Sequence, residues 1–182
     1  TVTVSNAIKM TGNFDQTVAA LVTSATKVVA TTAIINITTG TTTVANLKSI
    51  NQATTGNIEY DTGNTALTDA YDDIVIAFYE SGGTVVSGYD GTININDGAG
   101  KAMDADVLAA IGTATGGIVT VDNAATISGT LTNLKAALIT ASSKVIAATS
   151  NYTATGSAIT ASTASITGPY PPKTQEEMSD TI

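Results

Sequence analysis

Residues Val4–Thr32 and Val121–Thr149 are two versions of one stretch. VSNAIKMTGNFDQTVAALVTSATKVVATT lies without a gap on VDNAATISGTLTNLKAALITASSKVIAAT at an offset of 117 positions. Identities fall at Val4/Val121, Asn6/Asn123, Ala7/Ala124, Gly12/Gly129, Ala19-Ala20-Leu21/Ala136-Ala137-Leu138, Thr23/Thr140 and Lys27-Val28/Lys144-Val145. A chain that repeats itself over tens of residues is built from stacked supersecondary units, none of which buries its apolar face alone.

Reading along the chain gives the expected content of each unit. Thr1 to Val4 is β-branched and predicts a strand. After a polar, glycine-punctuated turn, Phe14, Val18, Leu21 and Val22 recur at helical spacing, with Asn13 or Thr11 as cap. Lys27 to Ala30 is again β-branched, Ala33 to Ile37 predicts a further strand, and Val44, Leu47 and Ile50 a short helix closed by Gly56. A second pass runs from the strand Ile58 to Tyr60 through a helix carrying Tyr71, Ile74 and Phe78, ended by Gly82-Gly83. Thr84–Val86 and Thr92–Ile95 follow as strands, then a helix with Val107, Leu108 and Ile111 capped by Asp104 or Asp106. LAAIGTATGG (108–117) aligns with LKSINQATTG (47–56). A third pass begins at Ile118, carries Leu131, Leu134, Leu138 and Ile139, and fades at Ser150. The units therefore lie near 1–57, 58–117 and 118–168, each made of two strand–helix halves of about 30 residues.

The predicted fold is α/β, with strand–helix units stacked as a solenoid-like or layered array and parallel strands joined by right-handed crossovers. The rival is an all-β sandwich, favoured by abundant Thr and Gly. The helical spacing of the Leu/Ala stretches ranks it second. Residues 169–182 form a proline-rich tail: Pro169, Pro171 and Pro172 suit an extended segment, a linker or an arm reaching a neighbour.

Composition narrows the functions. Only 12% of residues are charged and the net charge is −8, with no Arg, His, Cys or Trp among 182 residues. Phosphate contacts need clustered cations, so nucleic acid is not an expected partner, and anionic membrane surfaces are disfavoured alike. No apolar run of about 18 residues offers a membrane span. Without His or Cys there is no imidazole catalysis, thiol chemistry or ordinary zinc site. Thr1 at the start, without Met, suggests a processed end or an excised fragment.

VTVDNAATISGTLTNLKAAL and INITTGTTTVANLKSINQATTG resemble the degenerate Thr/Ala-rich repeats of very large extracellular proteins of cyanobacteria and other marine bacteria. Such proteins are S-layer-like, adhesin-like or associated with haemolysin-type calcium repeats. The likeness covers most of residues 1–168 and excludes the tail; the nonapeptide calcium repeat is absent. It implies a secreted, cell-surface structural or adhesive role and no catalytic residues.

Several side chains are candidates for a site. Asp90, Asn94, Asn96, Asp97, Asp104 and Asp106 gather in DGTININDGAGKAMDAD, an oxygen-rich, glycine-rich loop of the kind Ca²⁺ takes, although the EF-hand register fails. Solvated turns and a helix cap are the simpler account. Calcium is thus the one cofactor the residues would suit. Asp69, Asp72, Asp73 and Glu80 on or beside one helix could supply a glycosidase acid–base pair, but no Trp platform accompanies them, and an exposed acidic face is the simpler account. Gly12, Gly40, Gly56, Gly98 and Gly129 recur at matched positions as turn and cap residues, with no phosphate-loop pattern. Asn36-Ile37-Thr38 and Asn151-Tyr152-Thr153 match the glycosylation sequon. Tyr152 and Tyr170 could form a docking arm.

The expected function is a non-enzymatic extracellular structural protein that self-assembles into a surface layer, fibre or filament. Contacts would come from strand edges at Thr1, Val2, Thr3 and Val4 and at Ala158–Thr167, and from the tail at Pro169, Tyr170, Pro171 and Pro172. The alternative is an adhesin-type or viral decoration or fibre module that recognises a surface glycan or capsid.

Overall fold

The computed structural model describes residues 1–26, 28–61, 65–80 and 83–156. In chain order these form β1 (Val2–Thr3), β2 (Lys9–Gly12) and α1 (Phe14–Leu21), then β3 (Val28–Val29), β4 (Ile34–Ile37) and α2 (Val44–Ala53). Next come β5 (Ile58–Tyr60), β6 (Leu67–Asp69) and α3 (Tyr71–Phe78), and a small antiparallel pair of β7 (Tyr79–Glu80) with β8 (Gly83–Thr84). β9 (Val86–Ser87), β10 (Ile93–Ile95), β11 (Ala102–Asp104) and α4 (Ala105–Ala114) follow. The described chain closes with β12 (Val119–Val121), β13 (Thr126–Gly129), α5 (Leu131–Leu138), β14 (Val145–Ile146) and β15 (Asn151–Ala154).

The architecture is mixed α/β with parallel sheets, and the all-β alternative is overturned by the five helices among the described residues. The parallel sheets run β1-β3, β2-β4-β5-β9, β6-β10-β12-β14 and β11-β13-β15. Each strand meets the one roughly 23 to 28 residues further along: Val2 opposite Val28, Ile35 opposite Ile58, Ile58 opposite Val86, Leu67 opposite Ile93 and Ile93 opposite Val119. One row of inward side chains (Ile35, Ile37, Ile58, Tyr60, Val86, Ile93, Ile95, Val119, Val121, Ile127, Val145) builds the core against Leu47, Ile50, Ile74, Phe78, Leu108, Ile111 and Leu134 from the helices. Inward and outward positions alternate as the pleat requires, so Asn36 and Asn94 stand between buried isoleucines.

The duplicated sequence yields duplicated local structure. At the end of α1, the hydroxyls of Thr23 and Thr26 donate to the carbonyls of Val18 and Ala20; at the end of α5, Thr140 and Ser143 donate to Lys135 and Ala137. These residues correspond one for one across the 117-residue offset. The longer helices α2 and α4 share a different stop. Thr54 donates to the Ala33 carbonyl at 2.6 Å and Thr115 to that of Gly91 at 2.7 Å, while Gly56 and Gly117 donate an N–H to the hydroxyl oxygens of Thr54 and Thr115, each at 3.1 Å. A Cβ on Gly56 or Gly117 would overlap the same carbonyls, so the Thr-x-Gly ending admits no side chain at its third position.

Four expectations change. The polar turn expected before α1 and the loop expected before α4 contain β2 and β11, and β6 and β13 stand before α3 and α5 where no strand was expected, so a strand directly precedes each of these four helices. Gly56 does not close α2, whose C-cap is Thr54. α3 ends at Phe78, and the residues beyond it pair as β7–β8; Gly82 lies outside the described residues. The third pass does not fade at Ser150, because β15 follows it directly.

Candidate functional site

The strand ladders place the acidic loop residues around the starts of α3 and α4. Tyr71 opens α3 after Ala70, which has no capping side chain; its N–H donates instead to Asp97 Oδ2 at 2.5 Å. Asp97 thus satisfies one of the helix's free donors from a loop 26 residues away and sets a negative charge at the positive end of the helix. Asn123 in turn donates to the Asp97 carbonyl at 2.7 Å. The Tyr71 hydroxyl accepts the Asp104 N–H at 3.1 Å, tying the start of α3 to the start of α4. Burial pushes the Tyr71 phenol up to about 12, its hydrogen bond with the Asp104 backbone opposing and the carboxylates of Asp104, Asp106 and Asp72 reinforcing the rise.

The carboxylates considered for acid–base chemistry are held by cations or by backbone. Asp72 meets Lys101 Nζ at 2.6 Å, Asp73 meets Lys48, and Asp69 accepts the Ala70 N–H at 2.9 Å. Lys101 also lies 5.8 Å from the centre of the Tyr71 ring, and its hydrogen bond to Asp72 holds its ammonium above the ordinary value. The Glu80 side chain lies outside the described residues.

Of the residues considered for calcium, Asp90 and Asn96 are exposed on either side of β10, Asp97 is half-buried under α3, Asp104 holds the N-cap position of α4 without a side-chain bond, and Asp106 is exposed in its first turn. Asn94 points its amide at Asp122. Among the described residues no three acidic side chains come together as a group able to hold a metal ion. Nor is any described helix long and apolar enough to cross a membrane.

The strand-edge residues are differently placed. Among the described residues β1 ends its sheet and pairs only with β3, while β15 ends the β11-β13-β15 sheet and pairs only with β13. Val2 is 62% exposed, although its counterparts Ile58 and Val119 are fully buried. Tyr152 and Ala154 are half-buried where their counterparts Ile35 and Ile37 are buried. Ala158–Thr167 and the tail at Pro169–Ile182 lie outside the described residues. Sequence reading missed β15 as an edge, although its NYTA carries a sequon pattern and an aromatic residue at the inward position. Compared with known protein families, with curated proteins and with solved structures, the chain matches none.

Proposed function

We propose that this is a non-enzymatic extracellular structural protein whose strand–helix units wind as a solenoid-like array and assemble, copy on copy, into a surface layer, fibre or filament. The observation that carries the reading is that, among the described residues, the parallel ladders end in open strands whose inward apolar residues, buried in every internal strand of the same kind, stand uncovered at Val2 and half-covered at Tyr152. Open edges of this sort are templates for another strand. The engaged state of Asp72, Asp73 and Asp97 supports a structural role for the acidic residues. The low charge and Thr/Ala-rich repeats fit a secreted surface protein, and a net charge of −8 makes salt screening favourable to assembly.

Negative-stain electron microscopy and sedimentation of the purified chain, with and without calcium, test the reading. Ordered polymers are expected. Uniform monomers at every concentration would overturn it and favour an adhesin-type or viral fibre module that recognises a glycan or capsid. A chain ending at Gly168 separates the contribution of the tail.

A further inference from the structure

The chain makes the same junction between units twice. β4 pairs with β5 (Ile35 opposite Ile58, Asn36 opposite Glu59, Ile37 opposite Tyr60), and β10 pairs with β12 (Ile93 opposite Val119, Asn94 opposite Thr120, Ile95 opposite Val121). The backbone bonds correspond as well. Ile35 N–H donates to the Asn57 carbonyl and Ile93 N–H to that of Ile118, each at 2.9 Å; Asp61 N–H donates to Ile37 and Asp122 N–H to Ile95, each at 3.0 Å. In both places an asparagine on the first strand donates to the aspartate just beyond the second.

Both halves of this junction occur a third time, at opposite ends of the described chain. By the 117-residue offset β15 is the counterpart of β4, with Tyr152 at the place of Ile35 and Ala154 at that of Ile37. By the same offset β1 is the counterpart of β12, with Val2 at the place of Val119. We infer that β15 of one copy of this chain pairs in parallel with β1 of the next, Tyr152 opposite Val2, Thr153 opposite Thr3 and Ala154 opposite Val4. This rests on the self-assembly proposed above and names its interface.

Hydrogen-bond directions agree with it. Asn151 and Thr155 donate to Ala125 and Gly129 of the β13 side, so alternation turns the N–H groups of Tyr152 and Ala154 to the open edge. Val4 donates to Val29, which turns the N–H of Thr3 outward on β1. The junction would bury Val2 and cover Tyr152 and Ala154, as the internal junctions bury their counterparts. At the clasp position stand Thr153 and Ser5, two hydroxyls, so contact adds no like charge to an acidic chain. The two surfaces differ, so the contact is heterologous and each added copy presents a fresh edge: the product is an open filament or a ring.

The test uses the full chain and two edge-blocking substitutions. Thr3→Pro and Ala154→Pro each remove one outward N–H, a position where edge strands tolerate proline. Val2→Asp serves as a second block of the β1 edge. Each variant alone is expected to sediment as a monomer with the circular dichroism and melting temperature of the monomeric parent. An equimolar mixture of Thr3→Pro and Ala154→Pro retains one good β15 edge and one good β1 edge, and is expected to form a dimer that grows no further. Polymers from the single variants, or no dimer in the mixture, would overturn this junction while self-assembly itself stood. A parent chain monomeric at every concentration would overturn both.

Discussion

Asn94 on β10 donates its side-chain amide to Asp122 Oδ2 at 2.7 Å, across the junction between two units. Asn36 and Asp61 make the same contact at 3.4 Å one junction earlier. Among the described residues the Asn94 carbonyl oxygen has no partner although it is buried, so the amide group is held by this single bond. Asn94→Asp replaces a donor by a second carboxylate facing the first and is expected to cost about 1 to 3 kcal/mol at neutral pH, the penalty for an unsatisfied or repelled buried polar group. Urea unfolding measures it. Asn36→Asp gives up a longer bond but sets its carboxylate at a buried site, so it should cost at least as much; a clearly smaller loss would contradict the burial.

Gly112 sits inside α4, where alanine would ordinarily gain about 1 kcal/mol of helix propensity. Packing reverses the sign. A Cβ on Gly112 would overlap the Ser143 carbonyl oxygen and press on a Val145 methyl at 3.0 Å. Gly112→Ala is therefore expected to destabilise by about 3 kcal/mol, in the range of severe overpacking. Gly98, whose Cβ would meet nothing within 4 Å, is the control, and Gly98→Ala should stay within about 0.5 kcal/mol of the parent. Thermal melts of the two variants decide the matter.

Tyr89 lies under the sheets with its ring edge-on to Tyr60 at 5.5 Å and to Phe78 at 5.3 Å, and its hydroxyl donates to the Thr65 carbonyl. Burial raises the phenols of Tyr60 and Tyr89 well above their ordinary value near 10. The unfolded chain therefore releases these protons first, so stability is intact below pH 10 and declines as the pH climbs from there towards the folded values. Each buried phenol should remove about 1.4 kcal/mol per pH unit in that window. Tyr89→Phe should lose about 1 kcal/mol at pH 7, where the hydroxyl bond is absent, and decline less steeply above pH 10. A parallel fall in both proteins would show that Tyr89 ionises freely when folded.

The helices were legible because Phe14, Leu21, Leu47, Ile50, Leu134 and Leu138 recur often enough to show a period. β2, β6, β11 and β13 were not. Each spans three or four residues and turns one main apolar side chain inward (Met10, Leu67, Met103 or Ile127), too few for a two-residue period to emerge from polar flanks. The long repeat also concealed the short spacing. Similar sequences lie 117 residues apart, whereas strands that touch lie about 25 apart and differ in sequence, Ile93 beside Leu67 and Val119. That spacing brings Asp97 to Tyr71 and Lys101 to Asp72, contacts between residues whose separation carries no local signature. Hence the acidic residues were recognisable as a group, but their partners were not.

Asp97 and Asp104 divide the capping role differently from the pattern of the sequence. Asp104 occupies the N-cap position of α4 with no side-chain bond to the helix, while Asp97 reaches the first N–H of α3 from outside it. Asp97→Ala should consequently lower stability by about 1 kcal/mol, the usual loss for a side-chain cap, and Asp104→Ala by about 0.5 kcal/mol or less, through the helix dipole alone. Asp97→Asn keeps an acceptor and should recover most of the loss. The same series examines calcium: a rise in melting temperature with millimolar calcium that disappears in Asp97→Ala and persists in Asp104→Ala would assign Asp97 as a metal ligand. Equal losses for the two alanine variants without calcium would remove Asp97 from its place as the cap of α3.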